Sequence, residues 1–307
     1  MKLEIGYTGN KATIKDAFAK YTYKNHSIQV GQFYEPFSLE MMCSTFDIRF
    51  NQSPGAVLAL TNGRRMGITY SYRNKRHYMS GGAFMDNEVN NLKKASHGYA
   101  LDGRVVYRPV LDSKKLIHIG FAANYRTPNE SLNEEDKNIF IYKSSGVSTI
   151  DNRNIAMATI DHAAYQIKFG TELLVYYHRF CLQSEYIRTH VERDNAFKNY
   201  VAQGAYLQCS WLLSGETYLY DESVACAGRP EGKSLEVCSR FNYLTLNDED
   251  AAIWGGEQKD ISIGLNYYIN KYIGIKLNYS YLIPGASIKE ISRKNFSVFQ
   301  GRFQFIF

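Results

Sequence analysis

Hydrophobic and polar positions alternate along most of this chain with a period of two, and the alternation is cleanest near the C-terminus. Between Ile261 and Asn270 the odd positions are Ile261, Ile263, Leu265, Tyr267 and Ile269, whereas the even ones are small or polar apart from Tyr268. Successive side chains of a strand point to opposite faces, so this pattern predicts a two-faced strand. Asn270-Lys271 supplies a tight turn, after which Ile273, Ile275, Leu277, Tyr279 and Tyr281 oppose Gly274, Lys276, Asn278 and Ser280. The last segment sets Phe299, Phe303, Phe305 and Phe307 against Gln300, Arg302 and Gln304. Ile117 to Arg126 and Leu235 to Tyr243 behave in the same way.

About fifteen such segments follow one another, most of them near the ~10 residues that a tilted strand needs to cross a bilayer. They lie at 2–9, 12–24, 26–33, 64–73, 76–86, 97–109, 114–126, 154–166, 167–178, 180–192, 197–213, 235–245, 257–270, 272–283 and 295–307. Connections are unequal: Asn25-His26, Asn74-Lys75 and Asn270-Lys271 are tight, while 127–152, 215–234 and 285–294 are long and polar. Together these features predict an all-β fold, one antiparallel transmembrane β-barrel of about 14–16 strands spanning 1–307, with short turns at one rim and long loops at the other. A soluble β-sandwich also alternates, but its polar face meets water and is rich in Lys and Glu. Here that face carries Gly, Ser, Asn, Gln and scattered Arg, which suits a crowded wet interior. Aromatic pairs near strand ends, such as Tyr21/Tyr23, Tyr70/Tyr72 and Tyr279/Tyr281, suit girdles at the membrane interfaces.

Composition narrows the picture further. Apolar residues make up 45% of the 307 and charged ones only 21%, too apolar for a disordered segment. Tyr 25, Phe 17 and Gly 23 beside only 6 Pro favour sheet. No apolar run approaches the ~20 residues of a spanning helix. Met1 to Tyr7 alternates like a strand instead of reading as a secretory signal, so the expectation is a mature or shortened N-terminus. The five cysteines, Cys43, Cys181, Cys209, Cys226 and Cys238, contain no Cys-x-x-Cys pair and read as incidental.

Enzyme signatures are absent: no His-Glu-x-x-His, no Gly-x-x-x-x-Gly-Lys and no Gly-x-Ser-x-Gly occurs. His118, His162, His178 and Ser184 read as ordinary wall or loop residues, and Asn247 to Asp250 lacks the register of a calcium loop. The expectation is no catalysis, no metal and no cofactor. Basic residues are dispersed instead of forming a stripe, which argues against nucleic acid.

Several segments, taken in order, resemble the phosphate-selective porin O and P family of Gram-negative outer membranes. Lys15 to Phe18 followed by Ile28 to Phe37 looks like the family's strand ending in Gly-Gln-Phe with Pro-Phe after it, and Gly63 to Gly67 like the strand returning from an inward-folded loop. Leu212 to Glu216 is similar to a Leu-Thr-Gly-Glu element, and Leu235 to Asp248 to a strand with a central Arg. Gly255-Gly256, Gly264 to Tyr268, Leu277 to Tyr279 and Gln300 to Gln304 complete the pattern. The resemblance implies a sixteen-stranded barrel in the outer membrane, assembled as a homotrimer in a lipid bilayer, and passage of small anions such as phosphate. Relative to it, the expectation is that the opening strands and signal peptide are not part of this chain.

With the aromatic face set toward lipid, parity turns Lys20, Arg65, Arg73, Arg104, Arg108, Arg126, Lys168, Arg240, Lys276 and Arg302 inward, opposite Glu4, Asp16, Asp102, Glu172, Glu185 and Glu236. Residues 35–62 follow a strand, carry Pro36 and Pro54-Gly55, and are apolar for a loop in water, with Met41, Met42, Phe46, Phe50 and Val57 to Leu60. They are expected to fold into the barrel as a constriction, with Arg49, Arg64 and Arg65 at or beside it offering planar forks for oxyanions. The pore-lining candidates are thus Arg49, Arg64, Arg65, Arg73, Arg104, Lys168, Arg240 and Lys276. The expected function is passive diffusion of small hydrophilic solutes with a preference for anions or phosphate. The alternative is a structural or assembly barrel with a closed lumen, whose long loops bind partner proteins.

Overall fold

The computed structural model describes residues 1–8, 11–85, 98–129, 138–148, 153–194, 196–285 and 294–306. Fourteen strands form one antiparallel sheet in chain order: β1 (Lys2–Thr8), β2 (Lys11–Tyr23), β3 (His26–Tyr34), β4 (Arg64–Arg73), β5 (His77–Met85), β6 (Tyr99–Asp112), β7 (Lys115–Arg126), β10 (Ala163–Tyr177), β11 (Phe180–Arg193), β12 (Tyr200–Ser214), β15 (Ser234–Asp248), β16 (Ile253–Tyr268), β17 (Ile273–Pro284) and β18 (Phe296–Phe305). Two hairpins stand apart from it, β8 (Phe140–Ser144) with β9 (Ala156–Ile160), and β13 (Tyr218–Asp221) with β14 (Cys226–Pro230). Two short helices, α1 (Leu39–Met42) and α2 (Gly55–Leu60), lie between β3 and β4. The predicted strand at 154–166 is divided: its first half is β9 of an inner hairpin, and the wall strand starts only at Ala163. The weak alternation of Ile155 to Gln166 marks that break.

The sheet is inverted relative to a soluble sandwich. Ile261, Ile263 and Leu265 are 54%, 55% and 43% exposed and Phe299 71%, whereas Ser262, Asn266 and Lys276 on the opposite face are 0% exposed. An apolar belt this extensive around a folded chain needs a nonaqueous neighbour, and lipid is the one that strand alternation fits. Replacing Ile263 with Arg places a charge in that belt and is expected to cost about 2–4 kcal/mol in a bilayer, the magnitude for a midplane lipid-facing position. Urea unfolding in lipid vesicles reads the change, and an unaltered midpoint would put Ile263 out of lipid.

The sheet curls around the segment between β3 and β4, which touches β7, where Arg126 pairs with Glu35, and β18, where Arg302 donates to the Thr45 carbonyl at 3.3 Å. Strands far apart in the order therefore face one interior. β1 and β18 end the order without pairing to each other, so the barrel is not closed. Lipid offers no hydrogen bonds to such edges, and a bilayer-inserted form has to satisfy them. A bulge in β2 sets Lys15 and Asp16 out of step with β1. The Gln32 amide, 1% exposed, covers the neighbouring carbonyls of Ile14 and Lys15 at 3.0 and 2.7 Å.

Candidate functional site

Antiparallel order assigns every connection to a rim. The turns after β2, β4, β6, β10 and β16 share one rim and are short, whereas the connections after β3, β5, β7 and β17 share the other. Residues 215–233 follow β12 and so leave the rim of short turns, not the rim of long loops. They do not hang in water: β13 and β14 cross the interior. Tyr218 donates to Ser210 of β12 at 3.1 Å, the Tyr176 hydroxyl of β10 donates to Leu219 O at 3.1 Å, and the Tyr220 hydroxyl meets His118 Nδ1 of β7 at 2.9 Å. Ala225, 0% exposed, packs on Tyr78 and Val106 of β5 and β6. Of the connections 127–152 and 285–294, residues 130–137, 149–152 and 286–293 lie outside the described residues.

Residues 35–62 enter from the opposite rim. Ser38 caps α1, its hydroxyl accepting from the Met41 amide at 3.3 Å, and Glu185 of β11 accepts from the Leu39 and Glu40 amides at 3.0 and 2.8 Å. These bonds satisfy the donors that a helix start leaves open. α2 presses on the wall where Gly204 removes the side chain: a Cβ there would meet the Ala56 Cβ at 2.7 Å. The apolar side of α2, through Val57 and Leu60, joins Phe140, Tyr142 and Ile160 of the β8–β9 hairpin and Leu244 and Leu246 of the wall. Burial explains the apolar content of the loop. It also pushes the Glu40 carboxyl above its ordinary range, with Arg240 pulling the other way. Asp47 is lifted by burial too, although Arg229 of β14 lies 3.3 Å away.

The basic residues singled out in the sequence divide into two groups. Arg49 is 1% exposed, its Nε 3.1 Å from Glu236 and its guanidinium 4.9 Å over the Tyr218 ring. Arg104 is 0% exposed, 2.9 Å from Glu172, and donates to the carbonyls of Val224 and Ala225 at 2.7 Å each. Lys168 donates to Asn62 at 3.1 Å, and Arg240 to the Gln52 carbonyl at 2.9 Å. Lys276 donates to the carbonyls of Phe46, at 3.2 Å, and Ile48. All five grip the inserted segments. Gly120 leaves room for this chemistry, since a Cβ there would meet the Glu172 carboxylate at 2.2 Å.

Arg64, Arg65 and Arg73 lie on β4 and are half-buried. Arg64 donates to Asp16 at 2.5 Å and to the Tyr34 hydroxyl at 2.9 Å, and Arg65 donates to the Arg64 carbonyl at 2.9 Å. Arg73, at the short-turn end, borders a shallow cleft with Asp221 and Glu222. A cavity of about 500 Å³ opens between this wall and the inserted segments, lined by Lys2, Lys20 and Arg64 together with Glu4, Asp16, Asp47 and Asp221. The interior is thus filled off-centre: contents packed against β5 to β17, space beside β1 to β4. Sequence reasoning missed Lys2 and the hairpin at 215–233. The run Tyr218 to Tyr220 and Val224 to Ala227 carries the same signal of excess apolarity that marked 35–62. Among the described residues no three His, Cys, Asp or Glu side chains gather as a metal site.

Comparisons with known proteins agree with this architecture. The sequence profile of the family "Phosphate-selective porin O and P" matches residues 3–307. A protein of Caulobacter vibrioides described only as uncharacterized is 24% identical over 298 residues, covering 92% of this chain and 58% of its own length. Porin O of Pseudomonas aeruginosa is 26% identical over 113 residues, 33% of this chain and 26% of that protein. The chain therefore spans little more than half of the first relative and about a quarter of the second. Two solved structures of OmpT from Vibrio cholerae share the fold: the outer-membrane expressed form has a TM-score of 0.57 at 10% identity, covering 98% of this chain and 83% of that one. The in-vitro folded form has a TM-score of 0.56 at 8% identity, covering 95% and 80%. With a family match over nearly its whole length and the lipid-facing sheet described above, the chain belongs to the phosphate-selective porin O and P family and is a β-barrel protein of the Gram-negative outer membrane.

Proposed function

We propose that the protein lets small hydrophilic solutes diffuse passively along a water path beside β1 to β4, narrowed by residues 35–62 and by the hairpin of β13 and β14. The observation that carries this reading is the cavity of about 500 Å³, with Lys2, Lys20, Arg64 and four carboxylates in its lining, on that side of an otherwise packed interior. Family membership supports a channel over an enzyme. Conduction needs wall groups that attract a solute yet release it, which partly solvated charges provide and deeply bonded ones do not.

Anion preference is assigned within this reading to Lys20, Arg64, Arg65 and Arg73, the basic groups on the open side. Arg49, Arg104, Lys168, Arg240 and Lys276 serve as braces for the inserted segments. The cavity lining sets Lys2, Lys20 and Arg64 against four carboxylates, so selectivity for phosphate or any other anion is weak in the unaltered protein. The homotrimer belongs to the same proposal, and a single-chain mass by light scattering in detergent would remove it.

In planar bilayers the protein should give discrete conductance steps with a reversal potential near zero under a salt gradient. The double replacement K20A/R64A leaves Lys2 alone against Glu4, Asp16, Asp47 and Asp221, and should move the reversal potential toward cation preference. An unchanged value would take both residues out of the path. The packed interior also favours a second reading, a structural or assembly barrel with a closed lumen whose long loops bind partner proteins. Absence of any conductance from folded protein would select it.

A further inference from the structure

We propose that Cys43 and Cys226 form a disulfide that ties the hairpin entering from the short-turn rim to the loop entering from the opposite rim. Cys43 is the C-cap of α1 and Cys226 opens β14. Both are buried, 8% and 3% exposed, in one apolar cluster with Leu39, Leu116, Leu174 and Tyr176, and both also border the cavity of about 500 Å³. α1 packs against β14, which brings the two cysteines to one junction, and the Cys43 thiol donates to the Leu39 carbonyl at 3.2 Å. All five cysteines are free thiols in this structure.

The neighbouring contacts already join the same two segments. Asp47 pairs with Arg229 at 3.3 Å and Arg49 stacks on Tyr218 at 4.9 Å, so the thiols sit in a junction held on both sides. Barrel placement supplies the chemistry. The short turns of outer-membrane barrels face the periplasm, a compartment in which disulfides persist. The Cys226 thiol beside it, together with burial, holds the Cys43 thiol well above its ordinary range, so exchange runs faster at mildly alkaline pH.

Oxidation proceeds by exchange with a disulfide oxidant, protein or small-molecule. One thiol loses its proton and attacks the oxidant, forming a mixed disulfide and releasing one reduced sulfur. The second thiol loses its proton and displaces the other, so that one S–S bond forms and two electrons pass to the oxidant, which leaves as two thiols. The bond couples residues on segments from opposite rims, and neither segment leaves the lumen without the other. Its effect on transport rests on the channel reading above; its formation does not.

The test uses the full chain folded in detergent, exposed to oxidised glutathione at mildly alkaline pH, then unfolded and alkylated with a maleimide of known mass. The count of alkylated thiols should fall from five to three, and peptide mass spectrometry should find the segment containing Cys43 joined to that containing Cys226. C43S and C226S should each keep four alkylated thiols, with folding of all three proteins checked by heat-dependent gel migration. Five thiols remaining in the folded wild type, or a joined peptide containing Cys181, Cys209 or Cys238 instead, would overturn the proposal. In bilayers the oxidised protein should open less often than the same protein after reduction, by at least twofold, and equal open fractions with the bond formed would remove its role as a tether. The bond is read by mass alone, so a linked but nonconducting protein would count against the channel and for the tether.

Discussion

Replacing residues 216–232 with a short Gly-Ser turn is expected to raise single-channel conductance roughly threefold or more, because flow follows the cross-section of the narrowest water path. β13 and β14 cross the short-turn half of the interior, bridging β5, β6 and β7 on one side and β10 and β12 on the other. Their removal exposes the donors of Arg104 and His118 to water without touching a wall strand. β12 and β15 pair from Gln203↔Thr245 to Ser214↔Leu235, so a tight turn can join them as it joins their neighbours. Conductance steps in planar bilayers measure the effect. Steps of unchanged size from the shortened protein would mean that solute does not pass the hairpin.

Arg104→Ala is expected to destabilise the barrel by about 3–5 kcal/mol, the cost of stripping one partner from a buried charge pair. Its guanidinium meets Glu172 at 2.9 Å and two carbonyls of the hairpin turn, while His118 reaches the same carboxylate at 2.8 Å. The alanine leaves Glu172, 5% exposed, with a charge that only the imidazole and the Gly120 gap accommodate. It also releases the carbonyls of Val224 and Ala225. The loss therefore has two parts, an unpaired carboxylate and an undocked hairpin. The double variant R104A/E172Q removes the first part alone, and its stability should recover in part; a double-mutant cycle separates the two. Urea unfolding in vesicles gives the free energies, and proteolysis near Ser223 reports the hairpin. A single variant as stable as the parent would contradict the bracing role.

Much of the wall was legible because a strand writes both of its faces into one sequence. Ile261 to Tyr281 states the inner and outer sides, the turn and the register in about two dozen residues, as the pairing of Ile263 with Tyr279 and Ser262 with Ser280 bears out. Parity likewise turned Arg104, Lys168, Arg240 and Lys276 inward, and the structure has them there. Where those side chains end was not legible. Alternation says that a guanidinium faces the interior, but not that Val224 and Ala225, more than a hundred positions away, accept its hydrogen bonds.

The hairpin was hidden for a related reason. Gly215, Gly228 and Gly232 with Asp221, Glu222 and Glu231 give 215–233 the composition of a solvated loop, and only Tyr218, Leu219, Tyr220 and Val224 to Ala227 betray contact with other protein. Which rim a loop leaves depends on counting every strand before it, and the false wall segment at 154–166 hid that parity. The cysteines show the same limit. Cys43 and Cys226 are remote in sequence, and their proximity comes from two segments meeting after they enter from opposite rims.

The native tryptophans offer the most direct test of which face of the sheet meets lipid. Trp211, 51% exposed on β12, and Trp254, 38% exposed on β16, lie on the outer face near opposite rims, where indole rings favour membrane interfaces. Refolded into vesicles whose acyl chains carry bromine, the protein should lose much of its tryptophan fluorescence, while aqueous iodide should quench it little. Fluorescence untouched by bromolipid and strongly quenched by iodide would place that face in water and contradict a bilayer-spanning barrel.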